Sequence, residues 1–226
     1  MFEAKQYVTA LKSEFESSSN IVLAVQQRKY LKDQFEFLGI SAPLRRDIQR
    51  PFLQSVYLPG KEEAKQVIKQ LWGMGKREYQ YFAQELFYQY RKQFKEEDLD
   101  LIEWMIRNDS WWDTVDYIAA NLVGHYLLTF PELRHEVTQR WIDSEHLWLR
   151  RSAILFQLKY KSKLDEHLLS SIIHRLIPTK EFFINKAIGW ILRSHARTNP
   201  SWVLKFVNHT ALSALSKREA LKHLGS

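Results

Sequence analysis

The chain contains no cysteine, and its 226 residues include only seven glycines and six prolines. The lack of cysteine excludes disulfide bonds and thiolate metal sites, and the eight histidines show no metal-ligand spacing, so we expect neither a metal nor another cofactor. Few glycines and prolines leave little material for β-turns, which favours long helices. No apolar run approaches the roughly 20 residues of a membrane span, and residues 1–5 lack the apolar stretch of a signal peptide. We therefore expect a cytoplasmic, bacterial-type protein that does not act in a membrane.

Positive charge is concentrated towards the C-terminal end of the sequence. Residues 144–226 contain 14 Lys and Arg against 5 Asp and Glu, whereas residues 1–143 contain 19 against 21. A field of that kind attracts a polyanion, and nucleic acid is the most common one. The alternative is a basic surface that serves only solubility.

Apolar residues recur with the spacing of amphipathic helices along almost the whole chain. In the segments 64–72, 79–90 and 164–176 they follow the i, i+3, i+4, i+7 pattern. Ser216 and Glu219 have the spacing of a capping box at a helix start. No segment alternates with a period of two, so the sequence predicts an all-α protein of about twelve helices.

Four alanines recur at a nearly constant interval: Ala83, Ala119, Ala153 and Ala187 are separated by 36, 34 and 34 residues. That length accommodates two helices and two turns, the unit of a HEAT-like helical-repeat solenoid. One helix pair cannot bury its own apolar face, so the pairs must stack. We therefore predict an α-α superhelix with a concave basic face.

No segment has the composition of a linker between domains. We predict a single HEAT-like domain over residues 1–226. Within it, we expect N-terminal helices in 1–60, tandem helix pairs in 61–210 and a C-terminal helix in 211–226.

The segment 110–116, with the sequence SWWDTVD, is the most unusual in the chain. Ser110 is a good helix N-cap, and Asp113 three residues later completes a capping box. Asp116 lies beyond the reach of such capping and shares a helix face with Trp112, four residues before it. An aromatic plane beside a carboxylate is a plausible receptor for a cation. The alternative is that Trp112 packs in the core and Asp116 pairs with an arginine of a neighbouring helix.

Two later segments carry residues that could complete such a site. Arg150 and Arg151 occupy the equivalent stretch of the next repeat, where an arginine can hold a phosphate or neutralise an acid of the motif. One repeat later, Gly189 allows a backbone or a ligand to approach closely. Trp190 beside it supplies a second aromatic wall or packs in the core.

Several blocks, in a consistent order, resemble the AlkD-like family of DNA alkylation repair glycosylases. Besides 110–116, these blocks are 28–32, 37–40, 147–160, 180–190 and 215–220. They cover nearly the whole chain. The resemblance implies a HEAT-like fold that grips duplex DNA, and the segment 20–37 retains the N-terminal helix that some relatives lack.

The resemblance also implies roles for individual residues. The two tryptophans of the family's site fall on Trp112 and Trp190, its catalytic carboxylate on Asp116 and its phosphate-holding arginine on Arg151. Further contacts to DNA are expected from Tyr30, Arg45, Arg46, Lys159, Lys186 and Arg218.

The function implied by the resemblance is that of a monofunctional DNA glycosylase. Such an enzyme hydrolyses the N-glycosidic bond of cationic alkylpurines, such as 7-methylguanine and 3-methyladenine, in duplex DNA without full base flipping. We expect it to act near the nucleoid as a monomer with no obligate protein partner. The alternatives are a non-catalytic binder of damaged or branched DNA and a protein-interaction scaffold.

Two further expectations concern the site and the end of the chain. The enzyme hypothesis requires that the Asp116 carboxylate can be reached from solvent and is not walled off or locked to a guanidinium without an open path. The ending Gly225-Ser226 is shorter than the usual tail of the family, so we expect a shortened C-terminus.

Overall fold

The computed structural model describes residues 4–224, and the ending Gly225-Ser226 lies outside the described residues. Within that range the chain is helical and contains no β-strand, apart from one isolated bridge between Glu36 and Lys76. The all-α prediction is therefore confirmed. In the same range, no helix is long and apolar enough to cross a membrane, and no three His, Asp or Glu side chains group as metal ligands would.

The chain divides into two compact units, Met1–Gln93 and Phe94–Ser226. Whether they act as the single domain of residues 1–226 stays a prediction. The described helices of the first unit are α1 (Ala4–Ser17), α2 (Ile21–Tyr30), α3 (Ala42–Gln49), α4 (Lys61–Trp72) and α5 (Arg77–Gln89), with 3-10 turns at Pro51–Leu53 and Arg91–Gln93.

Helices α4 and α5 form the centre of the first unit because their apolar stripes face inwards. The stripes predicted from helical spacing, Val67 to Trp72 on α4 and Tyr79 to Phe87 on α5, contain the most completely buried side chains of this unit. Phe15 of α1 stacks on Tyr79, with 5.7 Å between the ring centroids. Burial of this apolar surface is the main favourable term in the folding of the unit.

A buried carboxylate fixes the loop before α3. Glu78 of α5 accepts hydrogen bonds from the backbone N–H groups of Leu38, Gly39 and Ile40, at 3.0, 2.9 and 3.2 Å. Gly39 has a φ of 88°, and a Cβ added there would lie 1.9 Å from the carbonyl oxygen of Asn20. Only glycine fits this turn, because both its φ and the approaching backbone exclude a side chain.

The second unit contains the remaining helices. They are α6 (Asp98–Arg107), α7 (Trp112–Tyr117), a π-helical segment (Ile118–Val123), α8 (Gly124–Thr129), α9 (Arg134–Asp143), α10 (Leu147–Leu155), α11 (Glu166–Leu176), α12 (Phe182–His195), α13 (Pro200–His209) and α14 (Ala214–Leu221), with 3-10 turns at Pro131–Leu133 and Lys161–Lys163.

The alanines that mark the sequence repeat occupy equivalent environments. Ala83 on α5, Ala119 in the π-helical segment, Ala153 on α10 and Ala187 on α12 are all fully buried. Small buried residues at such an interval allow successive helices to pack closely. This agrees with a helical-repeat fold, while the HEAT-like class of the repeat stays a prediction.

Both predicted capping boxes are wrong. Helix α7 begins at Trp112, and Ser110 donates its hydroxyl hydrogen to the carbonyl of Ile106 instead of capping that helix. Helix α14 is capped by Ser213, whose side chain accepts from the N–H of Ser216. The hydroxyl groups of Ser110 and Ser216 therefore bind backbone carbonyls, of Ile106 and Asn185, and do not cap the helix starts that the spacing predicted.

Candidate active site

A cavity of about 320 Å³ in the second unit is lined by residues of α7, α10 and α12. We call it the Asp116 cavity. Its lining residues are Trp112, Asp116, Arg151, Phe182, Phe183, Lys186, Trp190 and Arg193. It therefore brings together all four residues to which the sequence assigned a role in the site, and adds Lys186 from the expected DNA contacts.

Helical spacing explains why α7 presents its two residues together. Trp112 and Asp116 are four residues apart, so they lie on one face of the helix. Directly after Asp116 and Tyr117 the backbone widens into the π-helical segment Ile118–Val123. Such segments are rare and occur frequently at functional sites.

Arg151 of α10 binds the Asp116 carboxylate through both oxygens. Its Nε lies 2.7 Å from Oδ1 and its Nη2 lies 2.8 Å from Oδ2. This bidentate geometry is the strongest form of a carboxylate–guanidinium pair. The pairing of Asp116 with an arginine of a neighbouring helix, left open by the sequence, is therefore present.

The Asp116 side chain nevertheless keeps an opening to solvent. It is 14% exposed, whereas the Arg151 side chain is 4% exposed, and Asp116 contributes to the wall of the cavity. The carboxylate is thus locked in orientation by a buried guanidinium but still faces open space. The condition for the enzyme hypothesis is met on this point.

The Arg151 guanidinium is held on its other side as well. Its Nη1 donates to the carbonyl of Phe183 at 2.5 Å. Phe183 packs against Trp111 and Trp148, with ring centroids 5.3 and 5.0 Å away. The guanidinium is therefore engaged by the Asp116 carboxylate and by the Phe183 carbonyl, and its phosphate-holding role stays a prediction.

Burial and pairing act in opposite directions on Asp116. Desolvation raises the pKa of this carboxyl above its ordinary value, while the hydrogen bonds and charge of Arg151 lower it. Desolvation is the larger effect. The guanidinium therefore offsets only part of the effect of burial on the pKa of Asp116.

Helix α12 contributes a stripe of three residues to the cavity lining. Lys186, Trp190 and Arg193 are spaced by four and three residues, so they share one face of the helix. Trp190 and Trp112 are both partly exposed, so neither is the fully buried core residue of the alternative interpretation. The sequence analysis missed Arg193, although its helical spacing from Lys186 and Trp190 could have indicated it.

The remaining predicted DNA contacts of the second unit lie outside the Asp116 cavity. Lys159 donates to Oδ1 of Asn121 at 2.6 Å and lines a different cavity, of about 510 Å³, together with Lys161 and Arg197. Arg218 is exposed on α14. Both side chains carry charge at the surface, and their contact with DNA stays a prediction.

The predicted contacts of the first unit differ from one another in exposure. Tyr30 at the end of α2 and Arg46 on α3 are exposed. Arg45 is buried, binds Glu85 at 2.8 Å and also donates to Gln49. Its guanidinium is used inside this unit, so we correct the expectation for Arg45 and do not propose it as a DNA contact.

Comparisons with known proteins identify the family of the chain. The family model for the DNA alkylation repair enzyme matches residues 11–224. Among solved structures, the chain is similar to a protein described as a predicted DNA alkylation repair enzyme from Enterococcus faecalis. The two are 33% identical with a TM-score of 0.86, over 92% of this chain and 98% of the other. A search of curated proteins found no match.

The family resemblance found in the sequence is thereby confirmed over almost the whole chain. The family gives this protein a role in DNA repair, as an enzyme whose substrate is DNA. The chain belongs to the family of DNA alkylation repair enzymes.

Proposed function

We propose that this enzyme is a monofunctional DNA glycosylase that releases cationic alkylated purines, such as 7-methylguanine and 3-methyladenine, from duplex DNA. The observation that carries the proposal is a single carboxylate, Asp116, held by a buried arginine in the wall of an aromatic cavity. The basic excess of residues 144–226, which supply six of the eight lining residues of this cavity, supports a polyanionic substrate.

The single acid of the cavity lining suits a leaving group that needs no protonation. Asp116 is the one acid among the lining residues, so the lining supplies no second carboxyl as a general acid. A 7-methylguanine needs no such acid, because its positive charge makes it leave without protonation. Departure of the base gives the sugar oxocarbenium character, as in glycoside hydrolysis.

Asp116 would stabilise this developing cation and orient the attacking water. A carboxylate that is fixed before the reaction stabilises charge without first having to reorganise. Arg151 provides that fixation, because two hydrogen bonds define both the position and the plane of the carboxylate. The reaction proposed is therefore hydrolysis, with Asp116 as the catalytic residue and Arg151 as a positioning residue.

The aromatic walls would hold the deoxyribose on both sides. Trp112 and Trp190 present partly exposed rings to the cavity. A cation near such a ring gains about 0.5–2 kcal/mol. This attraction grows as the sugar becomes positive, so it favours the transition state over the ground state.

We further propose that the lesion stays largely stacked in the duplex while the protein holds the backbone. This part rests on the family resemblance. It is tested with duplexes in which the 7-substituent of guanine increases in size. A base flipped into a pocket must fit that pocket, so release that is insensitive to the size of the substituent supports the proposal, and a sharp cut-off in size contradicts it.

The test of the activity is release of 7-methylguanine from a duplex under single-turnover conditions. Asp116→Asn should lower the rate constant by a factor of about 10² to 10³, the usual cost of removing one preorganised electrostatic group. Asp100→Asn makes the same change on an exposed residue of α6, and should leave the rate unchanged. Equal rates in the wild type and the Asp116→Asn variant would remove this carboxylate from the mechanism.

The alternative is a non-catalytic binder of damaged or branched DNA. The observation in its favour is that Asp116 is fully engaged with Arg151. That function predicts tight, salt-sensitive binding of the same duplex with no free base released. The assay above separates the two functions, because only the glycosylase produces the base.

A further inference from the structure

Lys186 and Arg193 meet on one carboxylate beside the Asp116 cavity. Glu219 of α14 binds Nζ of Lys186 through Oε1 at 2.7 Å and Nη1 of Arg193 through Oε2 at 2.6 Å. The two cationic residues are seven positions apart on α12, about 10 Å along the helix axis. Their charged ends nevertheless converge, because each contacts a different oxygen of the same carboxylate. We call this arrangement the Glu219 bridge.

A glycine on α12 allows α14 to pack closely beside the bridge. A Cβ added at Gly189 would lie 2.5 Å from Cβ of Glu219 and 3.0 Å from the carbonyl oxygen of Ser216. The Ser216 hydroxyl also donates to the carbonyl of Asn185 at 2.9 Å. Gly189 thus lets α14 approach α12 closely enough for Glu219 to reach between the two cations.

The exposure of the three side chains shows which of them face solvent. Lys186 is 40% exposed and Arg193 is 22% exposed, whereas Glu219 is 12% exposed. Both cations also line the Asp116 cavity, and Glu219 does not. The two cationic side chains therefore line the cavity, and the acid that pairs them does not.

The chemistry of the bridge points to an anion as its ligand. Two positive charges against one negative charge leave one unit of positive charge at the cavity rim. Lys186 lowers the pKa of Glu219 through a hydrogen bond, and the charges of both cations add to this effect, so the carboxylate stays ionised. In a DNA repair enzyme, the anion next to the reacting sugar is a backbone phosphate.

We propose that Lys186 and Arg193 form a phosphate-binding site for the strand that carries the lesion, and that Glu219 is the positioning residue that holds them on either side of Trp190. This inference rests on the proposed function for its substrate. Trp190 is four residues after Lys186 and three before Arg193, so a phosphate held by both cations places the adjoining sugar against its ring.

The Glu219→Gln variant distinguishes a positioning role of Glu219 from a purely electrostatic one, because the two roles predict opposite effects. Glu219→Gln removes a negative charge from a basic surface, and on charge alone it should strengthen DNA binding. If Glu219 positions the cations, the same variant should lower the single-turnover rate of base release by about ten- to hundredfold, since small misplacements cost that much. Glu136→Gln changes the same charge on an exposed residue of α9, and should leave the rate unchanged.

A shorter acid tests the geometry. Glu219→Asp keeps the charge, but its side chain lacks one methylene and cannot reach both cations. The proposal predicts a slower rate for Glu219→Asp as well. Glu219→Asp and Glu219→Gln variants that are folded and as fast as the wild type would overturn it.

The cations themselves are tested by salt dependence, which does not rely on α14 packing correctly in the Glu219 variants. Lys186→Met and Arg193→Met should each reduce the slope of log affinity against log salt concentration by about one for duplex DNA. Unchanged slopes in both variants would overturn the phosphate site. A wild type that releases no base would instead refute the glycosylase, and the slopes would still decide whether these two cations contact phosphate.

Discussion

Replacing Arg151 by Met should destabilise the second unit because it leaves the Asp116 carboxylate without its partner. The guanidinium makes two hydrogen bonds to Asp116 and one to the carbonyl of Phe183. Removing one member of a buried ion pair typically costs about 3–5 kcal/mol. Asp116 reaches the cavity and can take up water there, so we expect about 3 kcal/mol at pH 8, the lower end of that range.

This loss should depend on pH in a defined direction. Burial already raises the pKa of Asp116 while Arg151 opposes it, so removal of Arg151 raises the folded-state pKa further. A carboxyl whose folded pKa is above its unfolded pKa destabilises the fold at high pH, and protonation relieves that cost as the pH falls. The difference from the wild type should therefore be smaller at pH 5 than at pH 8.

Urea unfolding followed by tryptophan fluorescence measures this difference. Seven of the eight tryptophans lie in Phe94–Ser226, which contains the ion pair. The double variant Arg151→Met/Asp116→Asn should recover part of the lost stability, because no charge is then left unpaired. A loss below about 1 kcal/mol at pH 8, or an equal loss at both pH values, would refute this account of the pair.

Other predictions follow from single contacts. Gly39→Ala should destabilise the first unit by more than about 2 kcal/mol in thermal unfolding, because the new Cβ would lie 1.9 Å from the Asn20 carbonyl oxygen; an unchanged melting temperature would contradict the strain. Trp190→Ala should slow release of 7-methylguanine about threefold to thirtyfold, the kinetic equivalent of one lost cation–π contact; an unchanged rate would exclude the ring from the site. Lys186 leads the causes that lower the pKa of Glu219 below its ordinary 4.5, so the stabilisation by this acid is present above that pH and lost as the pH falls through the lower folded value. The stability gap between the wild type and Glu219→Gln should therefore narrow on acidification, and a gap independent of pH would contradict this.

Helices were predictable from the sequence because their signal is local. The apolar stripes of α4 and α5 repeat within a few turns, and the buried side chains are the ones that the spacing selected. Trp112 and Asp116 could be paired for the same reason, since four residues along a helix suffice to place both on one face.

Contacts between distant helices were predictable only in part. Arg151 lies 35 residues from Asp116, and the repeat interval of 34 to 36 residues indicated that the two lie near each other. The same reasoning left open whether the guanidinium binds the acid or a phosphate. The structure settles the pairing through contacts from two helices: the guanidinium binds Asp116 of α7, and its third hydrogen bond goes to the carbonyl of Phe183 on α12.

Three expectations failed because the partner of a polar side chain depends on packing. Ser110 and Glu219 matched capping-box spacings, but Ser110 donates to Ile106 and Glu219 binds two cations of α12. The family resemblance placed Arg45 among the DNA contacts, but Glu85 of another helix binds it in the interior of the first unit. A sequence pattern gives the donors and acceptors of a side chain, while the fold selects among their partners.

The charges around the Asp116 cavity indicate that the substrate itself contributes to the electrostatics of catalysis. Asp116 and Arg151 neutralise each other, and the Glu219 bridge adds one net positive charge from Lys186 and Arg193. Taken alone, such a site would repel a cationic base and a cationic sugar. A phosphate held at the bridge removes that repulsion, because its single negative charge offsets the excess close to the sugar. Under the proposed function, the DNA backbone would therefore complete the electrostatic environment in which Asp116 acts. The backbone phosphate of the substrate strand would then contribute to catalysis as well as to binding.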